Sequence, residues 1–195
     1  QAYDLISDDW KKFRNTTRIN KCIVDFCNLI TPNGNILDIG CGTGYPIDKY
    51  LVECNFFVTG IDLSKKMIDE AKKLQLVNAT FIKQDILDFS TDKLYDGIIA
   101  FDSIWHIKKD KQIDAYKKIA SLMKDGAYFL FTHGKLNSEI IGTMFNQKFY
   151  YSALNIDELK TIFSKIGLKI IFLAENYQEP STGERDLLVI ARKSN

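Results

Sequence analysis

Three features predict a doubly wound α/β fold. Short apolar strands alternate with amphipathic helices, the first strand ends in an acid and a glycine-rich turn, and the second ends in another acid. Seven strands are expected. Most are parallel and carry their ligand at the carboxyl ends, and the last two form an antiparallel pair at the sheet edge. At 195 residues the chain is read as one domain, 1–195, long enough to bury a full core.

The elements follow in order. Tyr3, Ile6, Trp10 and Phe13 fall at helical spacing opposite Asp8, Asp9, Lys11 and Lys12. A second helix carries Ile19, Cys22, Ile23, Phe26 and Ile30 on one stripe, and Thr31-Pro32-Asn33-Gly34 stops it. Strand one is Asn35 to Ile39. After the turn, Pro46 suits a first helical turn, and Ile47, Tyr50 and Leu51 face inward. Strand two is Phe56 to Ile61. Ser64 is an N-cap for a helix burying Met67, Ile68, Ala71 and Leu74. Strand three is Thr80 to Lys83, and strand four runs from about Asp96 to Phe101, apolar on both faces. The helix Lys111 to Lys124 and the strand Ala127 to Thr132 complete a fifth unit. Residues 133–154 show no clear periodicity and are read as an irregular insertion on the substrate side. Asn155 and Glu158 form a capping box for a helix from Ile156 to Ile166, ended by Gly167. The final strands are about Lys169 to Leu173 and Asp186 to Ala191, around a polar loop with Pro180 and Gly183.

Composition narrows the partners. The formal net charge is +1, with lysines and acids mixed along the length, so the strongly basic face of a protein that holds nucleic acid through its phosphates is not expected. No apolar run reaches membrane-spanning length. Cys22, Cys27, Cys41 and Cys54 form no C-x-x-C pair and lie far from His106 and His133. They read as free thiols in a reducing cytoplasm, with neither a metal site nor a disulfide framework.

The turn Ile36-Leu37-Asp38-Ile39-Gly40-Cys41-Gly42-Thr43-Gly44 carries the chemistry. Glycines at alternate positions let the backbone take positive φ and a ligand approach closely. Dinucleotide folds space their glycines G-x-G-x-x-G around a pyrophosphate. Here the third glycine comes one place early, and Tyr45 stands at the dinucleotide position. Asp62 at the end of strand two can accept both hydroxyls of a ribose. Asp38 suits an ammonium group better than a phosphate. A nucleoside with an amino-acid tail and no phosphate meets all of these demands, and S-adenosylmethionine is such a molecule.

Over nearly its whole length the chain resembles the class I S-adenosylmethionine-dependent methyltransferases. The matching segments are ILDIGCGTG (36–44), VTGIDLS (58–64), QDILDF (84–89), YDGIIAFDSIWHI (95–107) and LMKDGAYFLFTHG (122–134). It is most similar to small stand-alone bacterial members whose turn continues Gly-x-Pro-Ile and whose fourth strand ends Asp-Ser-x-x-His. The resemblance implies sheet order 3-2-1-4-5-7-6, with the last strand antiparallel. It also implies residue roles. Gly40, Gly42 and Gly44 pass close to the methionine part, and Asp38 holds its ammonium. Asp62 takes the ribose hydroxyls, Leu63 and Met67 lie against adenine, Asp85 accepts from its amine, and the Ile86 amide meets a ring nitrogen. Phe101 and Ser103 lie near the methyl-bearing sulfur. Lys124-Asp125-Gly126-Ala127 stands where many members read Lys-Pro-Gly-Gly, at a turn remote from the ligand.

His106 is the best-placed general base if the acceptor must lose a proton, and its other reading is a local hydrogen bond that shapes the pocket floor. His133 is a weaker candidate by the same logic. Tyr3 and Trp10 either dock the first helix on the core or belong to a lid formed by residues 1–31. Tyr150 and Tyr151 are expected to touch substrate. No Asn/Asp-Pro-Pro-Tyr/Phe follows strand four, no Pro-Cys occurs and no paired-glutamate loop is present, so nucleic-acid bases and protein arginine are disfavoured. A small-molecule acceptor, methylated on O, N or C by in-line displacement, is the expectation, from a monomer or weak homodimer. The rival readings are a non-catalytic module that binds the cofactor or its demethylated product, and an NAD(P)-dependent dehydrogenase.

Overall fold

The computed structural model describes residues 2–180 and 182–195. A seven-stranded sheet has the order β3-β2-β1-β4-β5-β9-β8, and a separate two-stranded sheet pairs β6 with β7. The strands are β1 (Asn35–Ile39), β2 (Phe57–Asp62), β3 (Ala79–Lys83), β4 (Tyr95–Ala100), β5 (Met123–His133), β6 (Ser138–Met144), β7 (Gln147–Ala153), β8 (Leu168–Glu179) and β9 (Gly183–Lys193). The first five pair in parallel, while β9 runs antiparallel to both β5 and β8. With the β6–β7 pair set aside, this is the expected order, closed by an antiparallel strand.

Helices α1 (Ala2–Asn15), α2 (Lys21–Cys27), α3 (Ile47–Glu53), α4 (Lys65–Lys73), α5 (Lys109–Leu122) and α6 (Ile156–Lys165) connect or cover the strands. Burial on both faces explains the apolar run of β4. Ile98 and Ala100 pack with Tyr116 and Ile119 of α5 and Phe163 of α6, whereas Ile99 joins Phe26 of α2 and Leu51 of α3 on the other face. The local signals act where they stand. The Ser64 hydroxyl accepts from the Met67 amide at 3.2 Å, and the Asn155–Glu158 capping box closes in both directions. Gly167 takes φ +75° just beyond α6. Among the described residues no helix is long and apolar enough to cross a membrane.

Two expectations need correction. Residues 133–154 are not irregular: they fold into the β6–β7 hairpin, with Tyr150 and Tyr151 on β7. Its turn is Phe145-Asn146, both at positive φ, a conformation that a two-residue hairpin turn requires and that glycine usually signals. Ile140 and Ile141 are both solvent-exposed, so the strict alternation of a half-buried strand is missing. The last two strands are also longer than expected, because β8 and β9 continue their pairing outward to Glu179 and Gly183.

Candidate functional site

Sheet order reverses between β1 and β4, and a cavity of about 410 Å³ opens there at the carboxyl ends of the strands. The glycine turn forms one wall. Gly40, Gly42 and Gly44 all have positive φ. A Cβ on Gly40 would stand 2.4 Å from the Ser103 Cβ, so bare backbone is what lets the turn pass the loop after β4. The Ser103 hydroxyl ties the two together by donating to the Ile39 carbonyl at 2.6 Å. Gly44 lies behind the cavity wall, where a Cβ would press on Leu74 and Phe81.

Asp62 closes the turn. Its carboxylate accepts from the Gly42 amide at 3.0 Å and the Ser64 amide at 2.8 Å. Burial raises its pKa, and those two amides oppose the rise. Asp85 accepts from the Leu87 amide at 2.9 Å, and Asp85, Ile86 and Leu63 line the same end of the cavity. Met67 is fully buried and is not part of the cavity wall. Asp38, Phe101 and Ser103 line the cavity near the crossover. Asp38 is 2 % exposed, and burial drives its pKa upward.

Helix α1 crosses the other side, so Tyr3 and Trp10 line the cavity from above. Asp4 accepts from the Ser64 hydroxyl at 2.6 Å, and Lys11 pairs with Glu70 at 2.5 Å, which fixes α1 on α4. The Tyr3 hydroxyl meets His106 Nε2 at 2.9 Å. His106 Nδ1 lies 2.8 Å from the Tyr150 carbonyl, which can only accept. Nδ1 therefore carries the proton, and Nε2 accepts from Tyr3 and, at 3.2 Å, from the Trp105 indole. Burial lowers the His106 pKa, so the ring is neutral at pH 7.

The two β7 tyrosines do not line this cavity. The Tyr150 side chain turns away and donates to Glu139 at 3.0 Å, leaving its backbone carbonyl to orient His106. Tyr151 lines a smaller neighbouring cavity of about 270 Å³ under the hairpin, along with Trp105 and His133. His133 is buried against Gln112 and the Gly134 carbonyl, and burial pushes its pKa down to about 4.

Two cavity groups escaped the sequence reading. Arg14 is only 6 % exposed, packs over the Trp10 ring and lines the cavity, and its guanidinium has no hydrogen bond or ion pair among the described residues. Its position in the last turn of α1 looks from sequence like an ordinary helix-terminus cation. Asp102, at φ +56°, is held by Arg185 of β9 through two bonds, Nε–Oδ1 at 2.6 Å and Nη2–Oδ2 at 2.5 Å. That pair bridges 83 residues of sequence, and no local pattern announces it.

Residues 36–126 match the protein family described as Methyltransferase domain. This segment holds the glycine turn, both acids and the loop after β4, and the match supports the resemblance to the class I S-adenosylmethionine-dependent methyltransferases. The (S)-tetrahydroprotoberberine N-methyltransferase of Eschscholzia californica is 35% identical over 106 residues, covering 50% of this chain and 29% of that enzyme. The ubiquinone biosynthesis O-methyltransferase of Coxiella burnetii is 30% identical over 138 residues, covering 66% and 58%. The chain thus spans between under a third and somewhat over half the length of these curated relatives. The magnesium protoporphyrin IX methyltransferase of Synechocystis, crystallised with bound SAM, shares the fold with a TM-score of 0.67 at 20% identity, over 99% of this chain and 80% of that one.

Proposed function

We propose that the protein is an S-adenosylmethionine-dependent methyltransferase acting on a small-molecule acceptor. The observation that carries this reading is the charge pattern of one cavity. Asp38 and Arg14, which has no ion pair among the described residues, offer opposite charges to the ammonium and carboxylate of an amino acid, and Asp62 stands beyond them for a ribose. The third glycine, Gly44, comes one place earlier than in dinucleotide folds, which disfavours a dinucleotide. Asp85, the Ile86 amide and Leu63 would hold the adenine. When bound, the cofactor supplies a methyl group on a sulfonium, already a good leaving group.

The chain's own contribution is position. Ser103 and Phe101 set the floor where the acceptor meets the cofactor, and Tyr3 and Trp10 cap it, excluding water. Fixing the reactants in line contributes roughly 7–11 kcal/mol to such a reaction. An acceptor O–H or N–H can hydrogen-bond to the Tyr3 oxygen while the Tyr3 hydroxyl donates to His106 Nε2. Proton removal then runs through Tyr3 to a neutral histidine oriented by the Tyr150 carbonyl. The N- and O-methyltransferases among the relatives support a small acceptor, and the four free cysteines fit a cytoplasmic location.

Calorimetry with S-adenosylhomocysteine, beside NAD and NADP, tests the cofactor. An acceptor screen that reads S-adenosylhomocysteine release tests the reaction. Binding of the homocysteine nucleoside alone and turnover on a small molecule are the expected results. Turnover confined to RNA, DNA or protein would overturn the acceptor class, and absence of turnover across broad panels would favour a binding module.

A further inference from the structure

Asp48 enters the core from the first turn of α3 and is fully buried, 0 % exposed. Neither carboxyl oxygen meets an N–H or O–H donor among the described residues. The polar group it touches is the carboxyl of Asp38, within hydrogen-bond contact. Two carboxyl groups can share a hydrogen bond only when one of them carries a proton, and two buried like charges in contact are not sustained.

Resting on the cofactor reading above, we infer that Asp48 is a positioning residue. It is a neutral carboxylic acid whose proton is donated to Asp38, fixing that side chain as an ionised acceptor for the cofactor's ammonium group.

The surroundings decide which acid is neutral. Asp38 lines the cavity, faces the Arg14 guanidinium from α1, and has Asp62 of β2 as a more distant like charge. Asp48 lies behind it, off the cavity, with the Cys41 thiol of the glycine turn and Asp38 as its ionisable neighbours. Negative charge therefore settles on Asp38, where a cation already faces it, and the proton stays on Asp48. Burial raises the pKa of both acids. Their mutual hydrogen bond lowers that of Asp38 and raises that of Asp48, as a bond donated by Asp48 must. The proton does two jobs: it satisfies a buried acid that has no other partner among the described residues, and it orients the carboxylate in front.

Infrared difference spectroscopy and S-adenosylhomocysteine calorimetry on the full chain test this with Asp48→Asn, which keeps a donor of the same size, and Asp48→Leu, which removes it. The unliganded wild type should show the carbonyl stretch of a protonated carboxylic acid at neutral pH, and D48N should lose that band. D48N should bind within about threefold of wild type, and D48L should bind at least about tenfold more weakly, the loss of one hydrogen bond to a charged group. Absence of the acid band in the wild type, or binding by D48N as weak as by D48L, overturns the assignment. If D48L does not fold, the band and D48N still decide, with loss of S-adenosylhomocysteine binding in D48N as the refuting result. A wild type that shows the band but fails to bind S-adenosylhomocysteine would refute the cofactor reading and, with it, the positioning role. The neutral acid would still stand.

Discussion

Replacing Arg185 by methionine breaks a buried ion pair and leaves Asp102 charged in a closed place. The two side chains are 11% and 13% exposed, so solvent offers little compensation. Among the described residues, after the change Asp102 keeps one side-chain donor, the Thr132 hydroxyl at 3.1 Å, and Oδ2 keeps none. Removing one partner of such a pair costs about 3–5 kcal/mol. For a urea slope near 2 kcal/mol per molar, the lower figure moves the unfolding midpoint down by about 1.5 M. Arg185 also packs over the Phe101 ring and donates to the carbonyls of Thr182, Gly183 and Glu184, so the single variant loses more than the pair. A double-mutant cycle with Asp102→Asn separates these contributions. Neutralising the orphaned acid should recover part of the loss, giving a coupling of about 2 kcal/mol. A midpoint shift for R185M below about 0.5 M would refute the reasoning, as would additivity of the two single variants.

Four further outcomes follow from the site. Gly40→Ala places a methyl group 2.4 Å from Ser103 at positive φ and should weaken S-adenosylhomocysteine binding more than tenfold; unchanged affinity would show that the turn does not need its close approach. Asp62→Ala should weaken the same binding by about tenfold or more, read by calorimetry, since it removes a charged acceptor together with the closure of the turn. Histidine NMR should find His106 titrating below 6.5, because burial lowers it, and a midpoint above that value would contradict a neutral ring at pH 7. Stability against pH tests Asp48 by its sign. Its folded pKa is raised above the unfolded value, so the folded state keeps a proton that the unfolded chain has released. That stabilisation is full below the unfolded pKa of about 3.9 and is lost as pH rises, by up to about 1.4 kcal/mol per pH unit. Asp48→Asn should flatten that decline above the unfolded pKa, and an unaltered slope in urea titrations would count against a neutral Asp48.

Local pattern carried the fold as far as local pattern decides structure. The strand ends at Asp38 and Asp62, the Ser64 cap, the Asn155–Glu158 box and the stop at Gly167 are each set by a few neighbouring residues, and each was readable. The β6–β7 hairpin was not. Its turn uses Phe145 and Asn146 in place of glycine, and the consecutive exposed Ile140 and Ile141 put an apolar residue on each face of β6, which hides the alternation. The cavity divided the same way. The glycine turn, both acids and the adenine-end residues line it or close it, whereas Met67 and the Tyr150 side chain do not. Arg14 and Asp48 were illegible because charged residues on amphipathic helices read as solvent-facing. Only the tertiary fold puts one over Trp10 and the other behind Asp38.

The closure made by Asp62 bears on how little a ligand must change. Its two oxygens are already anchored by the Gly42 and Ser64 amides, so the rotamer is chosen before anything enters. A carboxylate oxygen offers more than one lone pair, and those left over are aimed by bonds made during folding. Ordering a free side chain on binding costs about 0.5–1.5 kcal/mol. Here that entropy was lost when β2 formed, so hydroxyl groups meet an acceptor that neither searches nor waits.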